Sequence, residues 1–113
     1  MVITMAARHI RHIERAGTRR IRKMTQEAVS EACEKGRQQG ARPISAVDDL
    51  TMAMVGPWVG TFAKCLARSA LREGISIVGG EMAQMPDIYK PGYVGVVVSV
   101  VSLAAHLTGE TKP

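Results

Sequence analysis

The segment Gly74-Ile75-Ser76-Ile77-Val78-Gly79-Gly80-Glu81-Met82-Ala83-Gln84-Met85-Pro86-Asp87-Ile88-Tyr89-Lys90-Pro91 is the stretch around which the chain is organised. Ile75 to Val78 is a short β-branched apolar run and reads as a buried strand. Gly79-Gly80 removes two side chains, so the backbone can approach a ligand or take turns closed to other residues. Glu81 follows as a carboxylate delivered from the strand end. Met85-Pro86 stops regular pairing, because proline has no N–H for a ladder. Together these features predict a ligand loop carried on a rigid scaffold. The plainer reading, a Gly-Gly turn beside a solvated Glu81, carries about equal weight on spacing alone, since a single glycine pair is a weak motif.

Working outward, Val2 to Met5 reads as a short first strand. From Ala6 to Arg15, a helical period places Arg8, Arg11 and Arg15 on one face and Ile10 and Ile13 on another. His9 and His12 stand at i, i+3, a spacing that can serve two metal ligands. No acid or thiolate adjoins them in that pattern and arginines surround them, which weighs against metal. After a break at Gly17-Thr18 comes the densest basic run, Arg19-Arg20-Ile21-Arg22-Lys23. Thr25 is a candidate N-cap for a helix over 27–39, with Gly40 as its C-terminal glycine and Pro43 just beyond. Ile44 to Leu50 is expected as a second strand ending in Asp48-Asp49. Gly56-Pro57 opens the next helix, where Trp58, Phe62, Cys65, Leu66, Ser69 and Ala70 recur at helical spacing as a core stripe. Lys64, Arg68, Arg72 and Glu73 fall on its outer side, and Gly74 ends it. Gly92 to Leu103, nearly all Val, Gly and Ser, reads as a central strand buried on both faces, or a barrel strand.

The order strand, helix, strand, helix, strand, strand predicts an α+β domain with α/β-like, right-handed crossovers. Its form is a single four-stranded mixed sheet with helices on one face. The expected organisation is a basic N-terminal segment over 1–23, packed on or leading into a domain over 24–107, and a flexible polar tail over 108–113.

Composition bounds the function classes. The 113 residues suit one domain with a modest core, and 46% apolar with 22% charged is ordinary for a globular chain. Cys33 and Cys65 lack partners at metal-ligand spacing and are expected as buried free thiols. Val94 to Leu107, the longest mostly apolar segment, is too short to span a bilayer as a helix, and the start is too short for a signal-peptide core. A cytoplasmic location is expected, with no membrane partner. Charge is uneven: residues 1–45 hold ten Lys/Arg against four Glu, whereas residues 46–113 hold five against six acids. That asymmetry raises a nucleic-acid reading, against which stand scarce aromatics (4%) and the lack of a binding motif.

The run Gly79 to Tyr89, Gly-Gly-Glu-Met-Ala-Gln-Met-Pro-Asp-Ile-Tyr, resembles the Gly-Gly-Glu-Thr-Ala-Glu-Met-Pro-Gly-Met-Tyr signature of aminoimidazole ribonucleotide synthetase, also called phosphoribosylformylglycinamidine cyclo-ligase. Gln39-Gly40-Ala41-Arg42-Pro43, with Asp48 following, is similar to that family's Gln-Gly-Ala-Glu-Pro-Leu-Phe-Phe-Leu-Asp block. The two blocks stand in family order, a helix-length spacer apart. The resemblance covers Met24 to about Ser102 and reaches 1–23 only loosely.

The resemblance is to the family's N-terminal domain, in divergent form, and implies a homodimer closed sheet against sheet. The faces expected at that joint carry Ile44, Ala46, Val96, Val98 and Val100, or their alternating neighbours. It also implies purine biosynthesis, with ATP and Mg2+ as cofactors of an ATP-dependent ligase. In the family, nucleotide and substrate bind where this domain meets a C-terminal domain that has no counterpart in these 113 residues. The site residues carried over are Gly79, Gly80, Glu81 and Asp48, with Glu81 and Asp48 the carboxylates left for metal. The family's Asn-Asp pair falls on Glu34 and Lys35, and Met82 and Gln84 replace Thr and Glu of the signature. Lys35 is then expected to set a competing charge beside the site. Catalytic residues are not identified. Three readings follow: a stand-alone homodimeric relative with at most weak nucleotide or phosphate binding, half of a split cyclo-ligase completed by a separately encoded C-terminal partner, and a basic nucleic-acid-binding module. The isolated chain is expected to be inactive, because phosphoryl transfer rests on metal clamps and positioned donors.

Overall fold

The computed structural model describes residues 1–104; the tail expected over 108–113 lies outside them. Along the chain run β1 (Val2–Ile10), a 3-10 turn (Ile13–Arg15), α1 (Thr18–Arg37), β2 (Ala41–Met52), α2 (Trp58–Arg72), β3 (Ser76–Gln84) and β4 (Val94–Ala104). The sheet order is β1-β4-β2-β3. β4 pairs antiparallel with both β1 and β2, and β2 pairs parallel with β3. This is the four-stranded mixed sheet that the element order predicts. α1 lies against β1, β4 and β2, while α2 packs on α1 and β3.

The core forms between helices and sheet. Ala6, Ile10, Ala46, Leu50, Val94, Val96, Val98 and Val100 point up from the strands to meet Ile21, Ala28, Val29, Phe62 and Leu66 from the helices. Full burial of such a side chain is worth about 1.5–3 kcal/mol, so this layer dominates stability. Both cysteines are buried and free, as expected, and burial pushes the Cys33 thiol up to about 11, with the Glu73 charge adding to it. The α2 stripe is also as expected, with Phe62, Cys65, Leu66, Ser69 and Ala70 buried. Gly40 and Gly74, which end the two helices, have φ of 73° and 75°, the left-handed region that glycine enters without a Cβ penalty.

Four expectations are corrected. Ala6 to Ile10 continues β1 instead of forming a helix: Thr4, Ala6 and Ile10 are buried and Met5, Ala7 and His9 exposed, a period of two. The valine row of β4 supplies a nine-residue ladder partner for it, and that pairing overrides the helical spacing of the arginines. Thr25 is no cap. It is fully buried in mid-helix, its hydroxyl donating to the Arg22 carbonyl at 3.0 Å. The helix begins at Thr18 behind Gly17, so the basic run forms its first turns. β2 extends from Ala41 to Met52, placing Asp48 and Asp49 within the strand. Pro43 fits there because pairing with β3 starts only at Ser45 and the β4 register slips between Pro43 and Ser45.

The fourth correction concerns β3 and β4. β3 is an edge strand, so its apolar run is not buried: Ile75, just before it, is 3% exposed, but Val78 is 68% exposed. β4 is central, yet only its helix-side face is sealed. Val94, Val96, Val98 and Val100 lie under the helices, whereas Val97, Ser99 and Val101 are half-buried on a face that no helix of the described residues covers. Of the residues expected at the sheet-to-sheet joint, Ala46, Val96, Val98 and Val100 are therefore inside the core. Their alternating neighbours form the uncovered face, with Ile3 59%, Met5 57% and Val47 41% exposed.

Candidate functional site

The glycine pair lies inside β3, not in a loop after it. In the parallel ladder Val47 pairs with Gly79, Asp48 with Gly80 and Asp49 with Glu81. A register slip at Ala46/Val47 leaves Val78 as the extra residue of a bulge. Neither glycine has positive φ, so left-handed turning does not explain them. Close approach explains one. A Cβ on Gly80 would run into the Asp48 Oδ1 and stand 2.7 Å from the Asp48 backbone oxygen. A Cβ on Gly79 would meet only Val47 Cγ1, at an ordinary 3.7 Å.

Paired residues of a parallel ladder share a face and successive residues alternate. Asp48 and Gly80 therefore turn to the helix side, beside Leu50, Ala63 and Leu66, in an open depression of about 500 Å³. Burial there raises the Asp48 pKa, and the neighbouring Asp49 charge raises it further. Glu81 turns to the uncovered face together with Asp49. A second depression of about 510 Å³ lies on that face, reaching from Met5 across Val97 and Val47 to Glu81.

This geometry separates two of the residues the sequence groups together. By strand alternation the Asp48 and Glu81 side chains leave the sheet on opposite faces, while both residues border each of the two depressions. No group of three or more His, Cys, Asp and Glu suited to a metal occurs among the described residues. The carboxylate that accompanies Glu81 is Asp49, which sequence reasoning passed over. The signal was present in the doublet Asp48-Asp49: within a strand, only one of two successive acids can share a face with Glu81. His9 and His12 form no metal pair either, since one is on β1 and the other in the turn after it, 3.9 Å from a Glu14 oxygen. Lys35 is not beside the site. Its ammonium donates to the Met5 carbonyl at 2.8 Å and pairs with Glu31 at 3.1 Å. That position is at the β1 edge, three strand spacings from β3, or about 14 Å.

Over 75 residues the chain is 35% identical to a phosphoribosylformylglycinamidine cyclo-ligase of Brevibacillus brevis, a match covering 63% of this chain and 22% of that protein. A cyclo-ligase of Pseudothermotoga lettingae is 34% identical over 74 residues, covering 62% and 22%. The chain is a divergent relative of the cyclo-ligases. No family model matches it. It spans about a fifth of the length of the cyclo-ligases it matches. Among solved structures, thiamine monophosphate kinase from Aquifex aeolicus superimposes with a TM-score of 0.64 at 15% identity, covering 89% of this chain and 34% of the kinase. PurL from T. maritima, complexed with AMPPCP, gives 0.57 at 19%, covering 88% and 16%. At those identities the likeness concerns fold, and it is the fold of the cyclo-ligase-like N-terminal domain. Against the cyclo-ligase signature, the glycine that the packing demands is Gly80, and the exposed acid is Glu81.

No helix of the described residues is long and apolar enough to cross a membrane.

Proposed function

We propose that this chain is a cyclo-ligase-like N-terminal domain that acts as a homodimeric scaffold, with at most weak nucleotide or phosphate binding near Gly79, Gly80 and Glu81. The observation that carries the reading is the uncovered sheet face, where Ile3, Met5 and Val47 stand exposed around half-buried Val97 and Val101. An apolar face on that scale is the mark of an interaction surface. A second copy meeting it sheet to sheet would cover the valines and bring two Asp49–Glu81 pairs to the joint. The AMPPCP in the PurL structure of the same fold supports a nucleotide as the ligand class. ATP would meet backbone at the glycines and repulsion from Asp49 and Glu81. An affinity of about −4 kcal/mol, roughly millimolar, is expected, without turnover by the chain alone.

The second reading is one half of an ATP-dependent cyclo-ligase of purine biosynthesis, completed by a partner that supplies the C-terminal domain. It rests on the 35% identity to a cyclo-ligase over 75 residues. Calorimetry with ATP, with and without Mg2+, separates the two, run on the wild type and Glu81→Gln. Millimolar or undetectable binding in every combination is expected for the scaffold. Micromolar, Mg2+-dependent binding that Glu81→Gln abolishes would overturn it and leave the split enzyme.

A further inference from the structure

The edge of the molecule formed by β1 and the start of α1 carries a run of cations that the dimer reading does not use. Arg11, Arg15, Arg19, Arg20, Arg22 and Lys23 make no side-chain hydrogen bond or ion pair among the described residues. The first turn of α1 contains no acid, so these cations add to the positive end of the helix dipole instead of offsetting it. A cleft of about 240 Å³ runs between β1 and α1, with Arg20 and Lys23 on one wall and Arg8 and His9 on the other. The acids nearby are few. Glu27 lines the cleft, Glu14 stands 3.9 Å from His12, and Glu31 is occupied by Arg8 and Lys35 at 2.8 and 3.1 Å.

Arg8 and His9 also line a second cleft, of about 300 Å³, together with Tyr89 and Tyr93. Here the structure gathers aromatics that are scattered in the sequence. The His9 and Tyr93 rings are stacked with centroids 5.9 Å apart and 20° between planes, and Tyr93 and Tyr89 are stacked at 4.6 Å and 16°. Tyr93 keeps its place because residue 95 is glycine: a Cβ there would come within 2.9 Å of the Tyr93 hydroxyl. Unpaired cations on the helix side of β1 and, round the edge of that strand, a stack of rings on the other face supply both attractions that single strands exploit, phosphate neutralisation and base stacking. A membrane surface fits less well, since no large apolar side chain is exposed along α1 to enter lipid.

We propose that this edge binds single-stranded nucleic acid, with phosphates on Arg20, Lys23 and the flanking Arg11 and Arg19, and a base on the exposed ring of His9 or on Tyr89. Fluorescence anisotropy of a labelled single-stranded oligonucleotide with the 113-residue chain tests it. For about three phosphates, raising salt from about 50 to 200 mM should weaken binding by roughly 20-fold. Arg20→Glu with Lys23→Glu should cost at least about tenfold and flatten the salt slope, while Lys64→Glu with Arg68→Glu, an equal charge change on α2, should stay within about twofold. Tyr89→Leu should weaken binding by about fivefold or more with the slope unchanged, and His9→Ala serves instead if that variant does not fold. The proposal is overturned if the oligonucleotide does not bind at low salt, if the α2 pair costs as much as the α1 pair, or if neither ring variant has an effect. Binding of anionic phospholipid vesicles without binding of the oligonucleotide would assign the edge to membrane.

Discussion

The two faces of the sheet are built from one set of strands and differ in what covers them. On the helix side every second residue of β4 is sealed, with Val94 and Val98 at 0% exposure. On the other side Val97 and Val101 are half-buried and Met5 is 57% exposed, although Ile3, Met5, Val47, Val97 and Val101 make that face apolar too. Apolar composition alone thus does not mark the core. Two helices can cover only one face of a four-stranded sheet, and the register decides which residues they reach.

The largest expected contrast comes from placing the same charge on either face. Val98→Asp buries an unpaired carboxylate and should cost about 4 kcal/mol or more, abolishing the cooperative melt by circular dichroism. Met5→Asp, on the exposed face, should keep a cooperative melt in the monomer. If both variants unfold alike, the helix-free face is as integral to the fold as the covered one, and the contrast fails.

The neighbouring glycines sharpen the contrast on a smaller scale. Gly80→Ala pushes a methyl group into Asp48 and should cost about 1–3 kcal/mol in a denaturant melt. Gly79→Ala meets ordinary contact and should fall within about 0.5 kcal/mol of wild type. Equal losses at both positions would show that Gly80 is not held by the close approach of Asp48.

The smallest effect expected is at Asp48. Burial raises its pKa in the folded state, so the folded chain binds the proton more tightly than the unfolded one. Stability therefore falls as pH rises from 3.8 up through the folded value. Asp48→Asn should flatten that limb and be slightly more stable than wild type at neutral pH, read as melting temperature against pH. A steeper limb in the variant would reverse the assigned sign.

Much of this was legible in the sequence. Element order gave strand count and helix placement, the α2 stripe repeated with a clean helical period, and Gly40 and Gly74 marked helix ends that only glycine closes easily. Other features depended on pairing. Ala6 to Ile10 spaces its arginines as a helix does, and becomes a strand because β4 offers a continuous partner. Gly79-Gly80 looks like a turn until β2 lies alongside and requires a missing Cβ at residue 80. The opposition of Asp48 and Glu81 follows from a bulge at Val78, which no local pattern announces. The ring stack joins His9 to Tyr89 and Tyr93, about eighty residues away, only because β1 pairs with β4.

Sedimentation velocity of the wild type and Met5→Asp at micromolar concentration tests the uncovered face most directly. The wild type should sediment as a species of twice 12.2 kDa, and Met5→Asp as a folded monomer. A wild type that sediments as a well-folded monomer would contradict the homodimeric scaffold.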